Sequence, residues 1–219
     1  MGGSFPWRRS PPLRYYVYIS QSKLDVLIPQ LPESRLRALT ADIRINVGVV
    51  AAGVATAGTA ASPELSAKAG VLTDYLEKQQ GWVGSLTAPG RYVRDVASLQ
   101  HGVLQDYAAD LAVFAGVVNG LKLALIGSPA SLIGAVANAE ANHSVNYYLL
   151  RFLSHTAESL PSEEDLSHDD RQRFGQAIDR ALRVGLSLPA KLNLEFLARP
   201  LFRSDGMLVA TPIWVALAE

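Results

Sequence analysis

Two short stretches of this chain combine the residue types that chemistry asks for. Ser20, Lys23 and Asp25 set a hydroxyl, an ammonium and a carboxylate within one turn of chain, a set that could bracket a polar substrate or pass a proton. The same three would serve equally as a turn cap and a surface ion pair, the latter worth under about 1 kcal/mol. Gly127-Ser128 stands where an apolar run gives way to Pro129-Ala130-Ser131. The free N–H groups of a helix starting there would hold an anion, or Ser128 would simply be the N-cap ahead of a proline at the first helical position. The G-x-S-x-G of a nucleophile elbow is not matched at this turn.

Other chemistries find less to work with. The histidines are His101, His143, His155 and His168; none forms H-E-x-x-H and no two share a helix at i, i+4, so a zinc hydrolase lacks its usual ligand spacing. Glu163, Glu164, Asp165, Asp169 and Asp170 surround His168, but a charge run beside a helix start is more often a solvated face helped by the helix dipole. Tyr147, Tyr148 and Phe152 beside Arg151 fall at helical spacing and read as core, not as a stacking surface for bases. No metal and no cofactor is expected.

Composition narrows the classes further. Twenty basic residues balance twenty acidic ones, which removes the positive footprint of a protein that neutralises many phosphates, so no nucleic acid partner is expected. The absence of cysteine excludes disulfides, thiolate nucleophiles and Cys-ligated zinc or iron–sulfur centres. In MGGSFPWRRSPPL the Arg8-Arg9 pair is followed by Pro11-Pro12 and not by an apolar signal core. Residues 1–13 therefore read as a disordered leader, and the protein as cytoplasmic. Residues 45–62 approach the length of a membrane span but are rich in Ala and Gly, which drive insertion weakly, so no membrane is expected.

The elements that must position these residues follow from periodicity. Residues 15–20, YYVYIS, read as a first strand and SKLDVLIPQLP as a short helical turn ended by Pro29. Residues 33–41 carry helix formers, and residues 42–49 alternate as a half-buried strand. Ser62-Pro63-Glu64 is a helix start with cap, N1 proline and early acid, with Leu65, Ala69, Leu72 and Leu76 as its stripe and Gly81 closing it. WVGSL and RYVRDVASL read as strands joined by a Pro-Gly turn, with Arg94 or Asp95 exposed according to register.

LAVFAGVV and LKLALIG flank Asn119-Gly120, the strongest short hairpin signal. Helices are then expected over SPASLIGAVANA, over residues 143–159 and after Ser167, where Phe174, Ala177, Ile178, Ala181 and Leu182 form a clear stripe. A last helix is expected to start at Ser187-Pro189 and run through LEFLARPLF to a turn at Ser204-Asp205-Gly206. MLVATPIWVALAE is a terminal strand with Trp214 at least partly buried, and Pro212 demands an edge or a bulge.

Three separated segments, YVYISQSKLDVLIPQLP, TAPGRYVRD and LEFLARPLF with LVATPIWVALA, together resemble an uncharacterised actinobacterial family of domains of unknown function from about residue 15 to the end. Ser20, Lys23 and Asp25 match the opening motif, as do Gly127 and Ser128 further on. The resemblance implies a glycine pair and following histidines at the latter turn; this chain has Ile126-Gly127-Ser128-Pro129-Ala130 instead, which weakens any histidine-dependent chemistry there. It implies no activity.

The expectation is thus one α+β domain over residues 14–219, a largely antiparallel sheet with helices grouped against it. Its function reads as a non-catalytic module that binds a small polar ligand or a protein partner. The alternative is a small-molecule enzyme with its site between the end of the first strand and the Gly127-Ser128 turn, using Ser20, Lys23, Asp25, Gly127 and Ser128.

Overall fold

A computed structural model describes residues 14–37, 39–40, 62–104, 111–134, 191–204 and 206–218. The expected leader (1–13), the strand over 42–49, the helices over 143–159 and after Ser167, the acidic run and all histidines but His101 lie outside the described residues.

The chain enters on strand β1 (Tyr15–Ile19) and helix α1 (Gln21–Leu27), whose last turn tightens into a 3₁₀ turn at Ile28–Gln30 containing Pro29. Residues 33–37 and 39–40 are helical. Helix α2 (Pro63–Lys78) starts as its sequence requires, with the Ser62 hydroxyl accepting from Leu65 N at 3.2 Å and Pro63 in the first turn. Ala69, Leu72, Thr73 and Leu76 form its buried stripe, a spacing that keeps them on one helix face. Six further strands follow: β2 (Val83–Gly84), β3 (Tyr92–Leu104), β4 (Leu111–Val118), β5 (Leu121–Gly127), β6 (Lys191–Ser204) and β7 (Met207–Leu217).

Their pairing closes a ring, and this corrects the expected architecture. β3 pairs with β4, β4 with β5, β5 with β7, β7 with β6, and β6 returns to β3. Among the described residues the result is a closed five-stranded barrel with β1 added beside β7 and β2 beside β3, and not an open sheet with helices grouped against it. Two features of the sequence account for the difference. The segment expected to be the last helix is the 14-residue strand β6: Leu192, Leu194, Phe196 and Ala198 point into the barrel while Glu195 and Leu197 face outward, a period of two. The 11-residue β7 is long enough to hold β6 along one side while its start pairs in parallel with β5 and its end with β1.

Pro212 is accommodated by a bulge. Leu197 pairs with Trp214 and Ala198 with Pro212, leaving Ile213 as the extra residue. The hairpin turn has positive φ at both Asn119 (50°) and Gly120 (82°), as a type I′ turn requires. The pair WVGSL and RYVRDVASL is not a hairpin: β2 is two residues long and runs parallel to β3. The expected helix after Gly127 is, within the described residues, only a 3₁₀ turn at Pro129–Ser131, followed by a bridge from Leu132 to Tyr18.

Two apolar layers result. Inside the barrel lie Tyr18, Leu99, Phe114, Leu123, Leu125, Phe196 and Val215, and outside it α1 and α2 cover Ile19, Leu197, Ile213, Trp214 and Ala216. A bulge in β1 between Tyr16 and Tyr18 lets one strand serve both: Tyr16 meets Trp214 edge-on in the outer layer at 5.8 Å and Tyr18 meets Phe114 edge-on inside at 5.9 Å. Among the described residues no helix is long and apolar enough to cross a membrane.

Candidate functional site

Ser20, Lys23 and Asp25 lie at the end of β1 and on α1. Ser20, fully buried, is the N-cap of α1; its N–H donates to Ile213 O at 2.8 Å and its hydroxyl lies 3.3 Å from that of Ser22. One turn on, Lys23 donates from Nζ to Pro212 O at 2.9 Å, beside the β7 bulge. Burial lowers its pKa to about 8, since a charged ammonium loses hydration there. Asp25 faces the other way, toward α2, where Lys68 lies at 3.6 Å and also holds Glu64 at 2.8 Å.

Across the barrel end, the Ser128 hydroxyl accepts from Ala130 N at 3.3 Å, an N-cap contact on the short 3₁₀ turn. Gly127 is needed for packing. A Cβ there would sit 2.2 Å from the Tyr18 hydroxyl, so only glycine admits this phenol. The Tyr18 hydroxyl is buried and has no hydrogen-bond partner within bonding geometry among the described residues. Burial pushes its pKa up, with Ser131, Ser20 and the Ser128 backbone close enough to act in the opposite sense. Ser20, Gly127 and Ser128 are therefore brought together around one buried tyrosine, while Asp25 is not part of the group and Lys23 serves a strand carbonyl.

A different set of residues lines an open groove of about 470 Å³ on the flank of the barrel. Glu77 from the end of α2, Val83 and Gly84 from β2, Arg94, Asp95 and Val96 from β3, and Glu195 from β6 contribute. Arg94 sits at the centre. Its Nε donates to Glu195 Oε1 at 2.9 Å, its Nη2 also meets Glu195, and its Nη1 meets Glu77. Arg14 donates to the other Glu195 oxygen at 3.1 Å. Burial alone would raise the Glu195 carboxyl, but the Arg94 and Arg14 guanidiniums outweigh it and hold its pKa below the ordinary value. Both guanidiniums lie over the Trp214 ring, at 5.1 Å for Arg14 and 5.9 Å for Arg94. Trp214 is fixed from below, its Nε1 donating to Thr73 Oγ1 at 2.9 Å while Thr73 donates to Ala69 O.

Asp95 is held differently. Its carboxylate accepts from Leu86 N and Val96 N, each at 2.9 Å, and meets no cation among the described residues. Val96 beside it is 47% exposed.

Sequence reasoning missed this groove. Its one signal was the Arg94-Asp95 pair in an alternating strand; Glu195 was hidden in a segment read as helix, and Glu77 is an ordinary last-turn acid.

A model of a family of unknown function, DUF7019, matches residues 14–219. No curated protein and no solved structure matches the chain.

Proposed function

The chain belongs to that family of unknown function, so its role has to be read from its own surface, and we propose that it is a non-catalytic binding module whose partner docks in the groove between α2, β2 and β3. One observation carries this reading. Lys23, Asp25 and Ser128, the residues best suited to acid–base work, are engaged by a strand carbonyl, a helix lysine and a backbone amide, and none of the three lines the groove. The groove, by contrast, offers polar and apolar surface side by side, as a binding site for a protein or a small polar ligand does. A cytoplasmic location belongs to the same proposal.

The test is affinity capture from the cells that make the protein, with wild type, Val96→Arg and Lys23→Met as baits. The binding reading expects partners or ligands retained by wild type and Lys23→Met and lost by Val96→Arg. Retention by Val96→Arg would remove the groove from the account.

A second reading, an enzyme acting at the end of β1, has one observation in its favour: a lysine with a pKa of about 8 is partly neutral near physiological pH and can accept a proton. It expects loss in Lys23→Met instead.

A further inference from the structure

We propose that Lys23 is an acylation site, at which the amine takes the acyl group of a small acyl phosphate or thioester and the resulting amide keeps the hydrogen bond to Pro212 O. The inference concerns the end of β1 and is independent of the groove reading.

The surroundings of the amine come first. Lys23 is half-buried on α1, and its Nζ donates to Pro212 O at 2.9 Å, beside the β7 bulge. Among the described residues no carboxylate pairs with it. Asp25, two positions further along the same helix, faces α2 and Lys68 instead. The ammonium has therefore given up hydration without gaining a counter-ion, and one of its three N–H groups has a protein acceptor. Lys68 shows the contrast: the Glu64 and Asp25 carboxylates raise its pKa, whereas burial lowers that of Lys23 to about 8. Roughly a tenth of Lys23 is then neutral at pH 7, against fewer than about one in a thousand for a lysine of ordinary pKa. The neutral amine is the nucleophile.

The seat then selects among the products an amine can form. Carbon dioxide would give a carbamate, a negative charge in a place where burial disfavours charge of either sign. An aldehyde would give an imine, whose neutral form has no N–H left for Pro212 O. An acyl donor gives an amide, which is neutral and keeps one N–H, the number of donors Pro212 O takes from Lys23. In that step the Nζ lone pair attacks the acyl carbon and the N–C bond forms. The bond from that carbon to the phosphate oxygen or thiol sulfur breaks, the leaving group departs with its electron pair, and one amine proton passes to water. Acylation thus removes the charge that burial penalises and preserves the contact that the fold uses.

The experiment treats the full chain with acetyl phosphate in one arm and a small acetyl thioester in the other, at neutral pH, and follows labelling of each lysine by peptide mass spectrometry in buffer and in denaturing urea. In buffer Lys23 should be acetylated at least tenfold faster than the exposed Lys78 and Lys191, and in urea the preference should vanish. The labelled chain should also melt at a higher temperature than untreated protein at pH 7, once the shift of a Lys23→Arg chain labelled alike is subtracted. That gain should shrink as pH rises from 8 toward 10.5, where the unmodified amine sheds its own charge in both states. Preference in one arm alone supports the site and fixes the donor class. Lys23 labelled no faster than Lys78 and Lys191 in either arm, a preference that persists in urea, or a labelled chain that melts lower would each overturn the assignment.

Discussion

The two ends of β1 and β7 use polar residues in opposite ways. At the Tyr18 end, Ser20, Gly127 and Ser128 converge on one phenol and satisfy or shape the backbone. On the α2 flank, Arg94 lies over Trp214 and pairs with Glu77 and Glu195 at the edge of an open groove, and Asp95 has amide partners but no cation among the described residues. The lesson is that residues with the most catalytic appearance in sequence can be the ones a closed barrel needs at its seams, where bulges and strand ends free carbonyls and amides. A surface with binding potential lies in the groove on the α2 flank, where polar and apolar groups stand side by side.

The sharpest way to break this contrast is Gly127→Val. If the Tyr18 end is structural, the added carbons collide with the Tyr18 ring and hydroxyl, and a denaturant melt should show a loss of about 3 kcal/mol or more, in line with overpacked cores. Adding Tyr18→Phe should recover part of the loss, because it removes the atom nearest the new Cβ.

Lys23→Met comes next and is read through pH. The folded-state pKa is about 8 against an ordinary 10.5, so between these values the unfolded chain holds a proton that the folded chain has released. Wild-type stability should therefore rise with pH across that window relative to the variant, by roughly 2–3 kcal/mol. Below pH 8 the penalty on the wild type is fully present and the difference should be flat. A difference flat throughout, from paired urea melts, would mean that Lys23 is hydrated.

Thr73→Val sharpens the other region. It leaves Trp214 Nε1 buried without its acceptor and should cost about 1–3 kcal/mol, with a changed tryptophan emission maximum. The smallest effect should come from Ser128→Ala, about 1 kcal/mol or less in thermal melting, as for a cap on a single turn. A larger loss would give that turn more than a capping role.

How much of this was legible in the sequence depended on whether the signal was local. Asn119-Gly120 announced its turn because few residues adopt positive φ twice in succession, and Ser62-Pro63 announced α2 because the cap and proline act within one turn. Trp214 could be placed in the core from the apolar run around it. β6 was misread because Leu194, Leu197 and Ala198 also fit a helical spacing and lie among helix formers, so the alternation of Leu192, Leu194, Phe196 and Ala198 did not stand out. Barrel closure could not be read, since it joins β3 to β6 and β5 to β7 across some eighty or more positions, and no local pattern encodes such pairings. The groove shared that fate, its walls coming from α2, β3 and β6.

Partners are expected to meet this protein in the groove between α2, β2 and β3 and not at the end of β1. Amide hydrogen exchange on the full chain, alone and saturated with a captured partner, distinguishes the two. Slowed exchange is expected over Val83–Ser85 and Arg94–Ala97, with Ser20–Asp25 and Gly127–Ser131 unchanged. Protection confined to Ser20–Asp25 and Gly127–Ser131 would contradict it.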